Sequence, residues 1–189
     1  MFFPGSVGTK LFADLNTKWR DNRGIKWANS QGIRLKPYRG GSLEGNQCTK
    51  LLKPKKLEDL KSKVPDELKK FVYALQKFDL VRQSCFGQEL TFNYKSTIEE
   101  FKKAYLSLGI SITPKVHAII GTKTGPLESH VIAFCDLKGK GLGYYSEQAS
   151  ESVHHDFGMT WARYKLQEDD PNYGANLLKS VLKYNALHI

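Results

Sequence analysis

Apolar side chains recur at steps of three and four along most of this chain, and the alternation of a half-buried strand persists nowhere. The clearest run is residues 66–83, where Leu68, Phe71, Val72, Leu75, Phe78 and Val81 form one stripe behind Pro65 and Asp66. Lys69, Lys70, Lys77 and Arg82 fall largely outside it. The same spacing predicts a helix over 9–22, with Leu11, Phe12, Leu15 and Trp19 inward and Gly24 just past its end. Ser42 is a capping type, and it predicts a helix through LEGNQCTKLL with Leu43, Leu51 and Leu52 buried and Asn46 and Gln47 in water. Pro54 breaks that helix, so 53–67 reads as a polar connection with one short turn around Leu57 and Leu60.

Further on, Ser96 opens a helix over 97–108 that turns Ile98, Phe101, Tyr105 and Leu108 inward, and Gly109 stops it. Thr113-Pro114 starts another, carrying Val116, Ile119 and Ile120, because proline is tolerated at the first helical position after a capping threonine. An exposed loop, GTKTGPLE, precedes a short helix in LESHVIAFCDL. After the acidic loop QEDDPNYG, a last helix over 173–187 buries Leu177, Leu178, Val181, Leu182 and Leu187. The expected fold is mainly α, an irregular bundle of seven to eight helices with little or no sheet. It is read as a single domain over 1–189, which could divide into a basic half, 1–95, and a neutral half, 96–189.

The most chemically loaded stretch is GKGLGYYSEQASESVHHDFGMTWARYK, 139–165. A glycine-broken basic turn leads to Ser146, a capping type, and Ala149, Val153, Phe157 and Trp161 follow at steps of four. Glu147, Glu151 and His155 share that step but sit two residues out of phase, on the opposite side. His154, three residues after Glu151, joins them. This ridge of Glu147, Glu151, His154, His155 and Asp156 could hold one Mg²⁺ or Mn²⁺ with help from elsewhere. A solvated helix face would look the same.

Charge changes the picture. Residues 1–83 hold 18 Lys or Arg against 8 Asp or Glu, whereas 84–189 hold 11 of each, so the net +10 belongs to the first part. Such asymmetry points to a polyanion, nucleic acid before membrane. A lysine-rich solvated surface gives the same count. Within GIKWANSQGIRLKPYRGGS, Lys26, Arg34, Lys36 and Arg39 are interleaved with Trp27 and Tyr38, which suits phosphate contact with base stacking. Lys53, Lys55 and Lys56 add a second basic cluster.

Several classes drop out. Cys48, Cys85 and Cys135 form no CxxC pair, so neither a disulfide framework nor a cysteine zinc site is supported. HExxH, a Gly-x-Ser-x-Gly elbow and a P-loop are absent; GKGLG lacks the GK[ST] ending. Glu151-x-x-His154 has the spacing of di-metal bundle helices, but a second such pair is missing. No run approaches the roughly 18 apolar residues that span a bilayer. The first residues, MFFPGSVGTK, lack the features of a signal peptide, and a nuclear or cytoplasmic location is expected.

The pieces YRGGSLEGNQCTKLLK, LGISITPKVHAII, KGLGYYSEQASESVHHDFGMTW and YGANLLKSVLKYN resemble transposon-derived open reading frames of animal genomes. More distantly, the chain is similar to the C-terminal part of DDE transposases of the hAT and Transib kind. In those enzymes a helical insertion precedes a final helix that carries the last metal-binding glutamate. The resemblance implies that Glu151 is that glutamate, with Glu147 less favoured, and that the helices before Gly139 correspond to the insertion. The two partner aspartates of such enzymes lie on strands, and Asp14 and Asp21 fall in a helical pattern here. A single carboxylate does not assemble a two-metal site.

The first expectation is therefore a transposon-derived remnant or domesticated protein that contacts DNA through its basic first half. It would lack a complete catalytic site and could act beside a separate catalytic chain. No cofactor is expected, except Mg²⁺ or Mn²⁺ if the transposase-like reading holds. The alternatives are a metal-dependent transposase or nuclease fragment using Glu151, and a helical protein-interaction module.

Overall fold

A computed structural model describes residues 3–36, 42–43, 45–121, 127, 132–144, 159 and 170–188. At its centre the 66–83 stripe folds as expected: a 3₁₀ turn at Asp66–Leu68 runs into α5 (Lys69–Cys85), and Leu68, Phe71, Val72, Leu75, Phe78 and Val81 are all buried. α6 (Tyr94–Leu106) lies against it. Phe78 and Phe101 meet at 5.3 Å between ring centroids, and Phe101 meets Tyr105 edge-on at 5.8 Å. Tilted ring pairs of this kind add to plain area burial. Lys77 and Glu100 close the outer edge of the pair at 2.7 Å.

On the other side of α5 runs α1 (Phe3–Lys18), which begins well before the expected residue 9. Gly8 lets it approach closely, since a Cβ there would stand 2.3 Å from Cys48 Sγ and 3.7 Å from the Phe78 ring. Asp21 and Asn22, with φ of 61° and 53°, then reverse the chain. Gly24 is thus not a helix terminator. It lies buried inside α2 (Arg23–Ser30), where a Cβ would meet Asn16 Oδ1 at 2.7 Å.

The next segments also depart from expectation. β1 (Leu35–Lys36) and β2 (Ser42–Leu43) pair antiparallel, Leu35 opposite Leu43 and Lys36 opposite Ser42. Ser42 therefore belongs to a strand and not to a cap, and α3 (Gly45–Leu51) starts later. Gln47 is buried, not wet: its Oε1 accepts the Arg34 backbone N–H at 3.0 Å. Pro54 begins α4 (Pro54–Lys63) where a polar connection was expected, and Leu57 and Leu60 are its buried residues. Proline fits there because the first helical residue needs no backbone donor.

The Thr113-Pro114 start is as expected. Thr113 Oγ1 accepts the Val116 N–H at 3.4 Å, and α7 (Pro114–Ile120) buries Val116, Ile119 and Ile120. After α8 (Ala133–Lys138), Gly139 turns the chain with a φ of 64°. The GKGLG turn then docks on the loop that follows α5. Gly141, Leu142 and Gly143 donate backbone N–H groups to Gln88, Cys85 and Gly87 carbonyls at 2.8, 2.9 and 2.9 Å.

The mainly-α fold holds, with the one short ladder as the sheet among the described residues. The boundary does not fall at 95/96, since α5 and α6 share one core across it. Two compact units divide instead at Tyr144/Tyr145. In the second unit, α9 (Tyr173–His188) leaves Leu177, Leu178 and Leu182 exposed, against the expected burial. The side chains of Val181 and Leu187, and nearly all of the expected 146–165 helix, lie outside the described residues.

Candidate nucleic-acid interface

The basic segments of the first half are drawn together by partly buried polar contacts. α2 carries Trp27 inward against Phe12, with ring centroids 6.3 Å apart. Its indole Nε1 donates to Asp59 Oδ2 on α4 at 2.6 Å. Asp59 is also paired with Lys63, 2.9 Å away and one turn further along α4. The Trp27 hydrogen bond first, then Lys63, hold the Asp59 carboxyl below its ordinary 3.8. Past the end of α2, Lys56 Nζ donates to the Gln31 carbonyl, and Ile33 N–H bonds back to Ala28 O at 2.9 Å. Arg34, held through its backbone by Gln47, follows at once. The 31–36 segment is thus pinned between α2, α3 and α4.

Lys26, Arg34, Lys53 and Lys55 are exposed, while Lys36 and Lys56 are half-buried. Neither Lys26, Arg34, Lys53 nor Lys55 has an ion-pair partner among the described residues. Several carboxylates of the same half are already engaged: Asp14 by Lys10, Asp66 by Lys69 and Asp79 by Arg82. Each pair consumes one charge of each sign, so the surplus of cations stays.

Lys53, Lys55 and Lys56 crowd the N-terminal end of α4, whose first turn has no acidic residue and no side-chain cap. That end carries the positive pole of the helix dipole and stabilises anions, so cations there cost about 0.3–1 kcal/mol each. An approaching anion meets both the lysines and the dipole. Tyr38 and Arg39 lie outside the described residues. Trp27 needs a correction, because at 5% exposure its ring is a core side chain with its N–H committed, and no face is left for a base. Nothing in the one-dimensional pattern links position 27 to position 59, which is why Asp59 and Gln47 were missed.

Glu147, Glu151, His154, His155 and Asp156 lie outside the described residues, so the expected ridge has no geometry to report. Among the described residues no group of three His, Cys, Asp or Glu could hold a metal ion. Cys48, Cys85 and Cys135 are free and buried, and burial pushes the Cys48 thiol up to about 12, far from a reactive thiolate. No described helix is long and apolar enough to cross a membrane. No protein-family model matches this chain, and neither a curated protein nor a solved structure matches it.

Proposed function

We propose that this chain is a transposon-derived helical protein that binds DNA through the cations of its first half, without a complete catalytic site of its own. The observation that supports the reading best is the set of Lys26, Arg34, Lys53 and Lys55, exposed and without ionic partners among the described residues, on segments tied together by Lys56–Gln31 and Trp27–Asp59. The lysines at the anion-favouring end of α4 add to it, being arranged against the protein's own dipole and in favour of a phosphate. The transposon origin rests on the resemblance of 38–53, 108–120, 140–161 and 173–185. A nuclear or cytoplasmic location goes with it, as does a separate catalytic chain as partner.

Titration of a labelled duplex at several salt concentrations tests the reading. Each phosphate contact contributes about 0.9 to the slope of log affinity against log salt. Lys53→Glu/Lys55→Glu should weaken binding and lower that slope by about 2. Absence of salt-dependent binding by the folded protein refutes the proposal. A second reading, a protein-interaction module, draws on the exposed Leu177, Leu178 and Leu182 of α9. It gains ground if the protein ignores DNA and self-associates in light scattering, and Leu178→Lys/Leu182→Lys abolishes that association.

A further inference from the structure

We infer, on the DNA reading above, that Gln47 is the positioning residue for Arg34: a neutral, buried amide that holds the backbone from which the guanidinium reaches a phosphate. Gln47 is 8% exposed on α3, and its Oε1 accepts the Arg34 N–H at 3.0 Å across 13 positions of chain. A buried amide is costly to leave unbonded, so this acceptor is matched to one particular backbone donor. The residues on either side of that donor are held as well. Gln31 caps α2, Gly32 takes a left-handed φ of 67°, and the Gly32 and Ile33 N–H groups return to Asn29 O at 3.0 Å and Ala28 O at 2.9 Å. Such a paired return closes a helix and sets the direction in which the chain leaves it. Ile33 is buried just before Arg34, and Leu35 pairs with Leu43 just after it.

Arg34 itself is exposed, with no ion-pair partner among the described residues. What Gln47 holds is the backbone origin of that side chain. Contact with a phosphate from a loose segment would require its backbone to be ordered at the same time, which weakens affinity. With the backbone already ordered, only the side chain has to be immobilised. Gln47 carries no charge and releases no counterion of its own, so any change that its substitution makes in the salt slope comes through another residue.

The deciding experiment is fluorescence anisotropy of the full chain on a labelled duplex of about 20 base pairs, with salt varied from about 50 to about 200 mM. Parent, Gln47→Met, Arg34→Gln and the double variant are compared, each assayed where circular dichroism reports it folded. Gln47→Met keeps the length of the side chain and removes the acceptor. It should weaken binding about five- to tenfold and lower the slope by up to about 0.9, close to the effect of Arg34→Gln. In the Arg34→Gln background the same change should alter affinity by less than about twofold. Hydrogen exchange at the Arg34 amide should quicken by about tenfold or more in Gln47→Met. Gln47→Asn, whose acceptor is drawn back by one carbon, takes its place if Gln47→Met does not fold. Parent-like affinity and slope in the folded variant overturn the inference and leave the DNA reading intact. So does an equal loss in both backgrounds, the mark of a general structural defect, and so does loss of the fold in both Gln47 variants. Failure of the parent to bind the duplex removes the DNA reading and this inference with it.

Discussion

Trp27 and Asp59, 32 positions apart in the chain, are joined by a 2.6 Å hydrogen bond from the indole Nε1 to Oδ2. The bond ties α2 to α4, while the ring itself packs against Phe12 of α1 and belongs to the core although basic residues flank it in the chain. Trp27→Phe keeps most of the apolar ring but deletes the donor, so it should lower the denaturation midpoint modestly. Trp27→Ala empties a buried aromatic site as well and should cost about 3–5 kcal/mol. Urea unfolding of the two variants beside the parent separates packing from hydrogen bond. A Trp27→Phe midpoint equal to the parent's would mean that the indole N–H adds nothing.

The same pair sets an acid dependence. The Asp59 carboxyl is held below its ordinary 3.8, by Trp27 first and Lys63 second. A carboxylate depressed in the folded state contributes fully above its unfolded value, and the contribution is lost as pH falls through the folded value. Asp66, depressed by Lys69, and Glu100, depressed by Lys77, act in the same direction. The urea midpoint should therefore hold steady above about pH 5 and fall below about pH 4. In Trp27→Phe the acid loss should be shallower. An identical pH profile for parent and variant would count against the indole as a cause.

Gly8 sits inside α1, where alanine would ordinarily favour the helix by about 1 kcal/mol. Here a Cβ would come within 2.3 Å of Cys48 Sγ, inside a packed core. Gly8→Ala should instead destabilise, by about 1–3 kcal/mol. Removing the sulfur should relieve the clash, so Gly8→Ala/Cys48→Ala should be more stable than the sum of the two single changes predicts. Thermal melts of the four proteins in that cycle measure the coupling, and strict additivity would rule out the contact.

Gly141 presses on backbone, not on a side chain. A Cβ there would stand 2.3 Å from the Gly87 carbonyl oxygen, and one at Gly143 would stand 2.7 Å from it. No rotamer relieves a clash with a carbonyl. Gly141→Ala should lift the turn from the loop after α5 and break its bonds to Gln88, Cys85 and Gly87. The expected signature is faster hydrogen exchange at residues 141–143 together with a lower melting temperature. Unchanged protection at those amides would contradict the docking.

What the sequence determined by itself was local. The 3.6-residue stripe of α5, the Thr113-Pro114 start of α7 and the stop at Gly109, whose φ is 63°, depend on neighbours within one or two helical turns, and those neighbours are written in order along the chain. The same evidence misplaced Pro54, read as the break before a polar connection where it begins α4, because proline both ends one helix and begins the next. It also misjudged Gln47, Trp27 and the leucines of α9. Periodicity says that a helix has an apolar face or a basic neighbour, but not what lies across from it. Only the tertiary structure decided that Asp59 reaches Trp27, that Gln47 reaches Arg34, and that Gly8 and Gly141 mark places where the chain must touch itself. These depend on how helices cross and how closely backbones approach, distances set by the whole core and by no single segment of it.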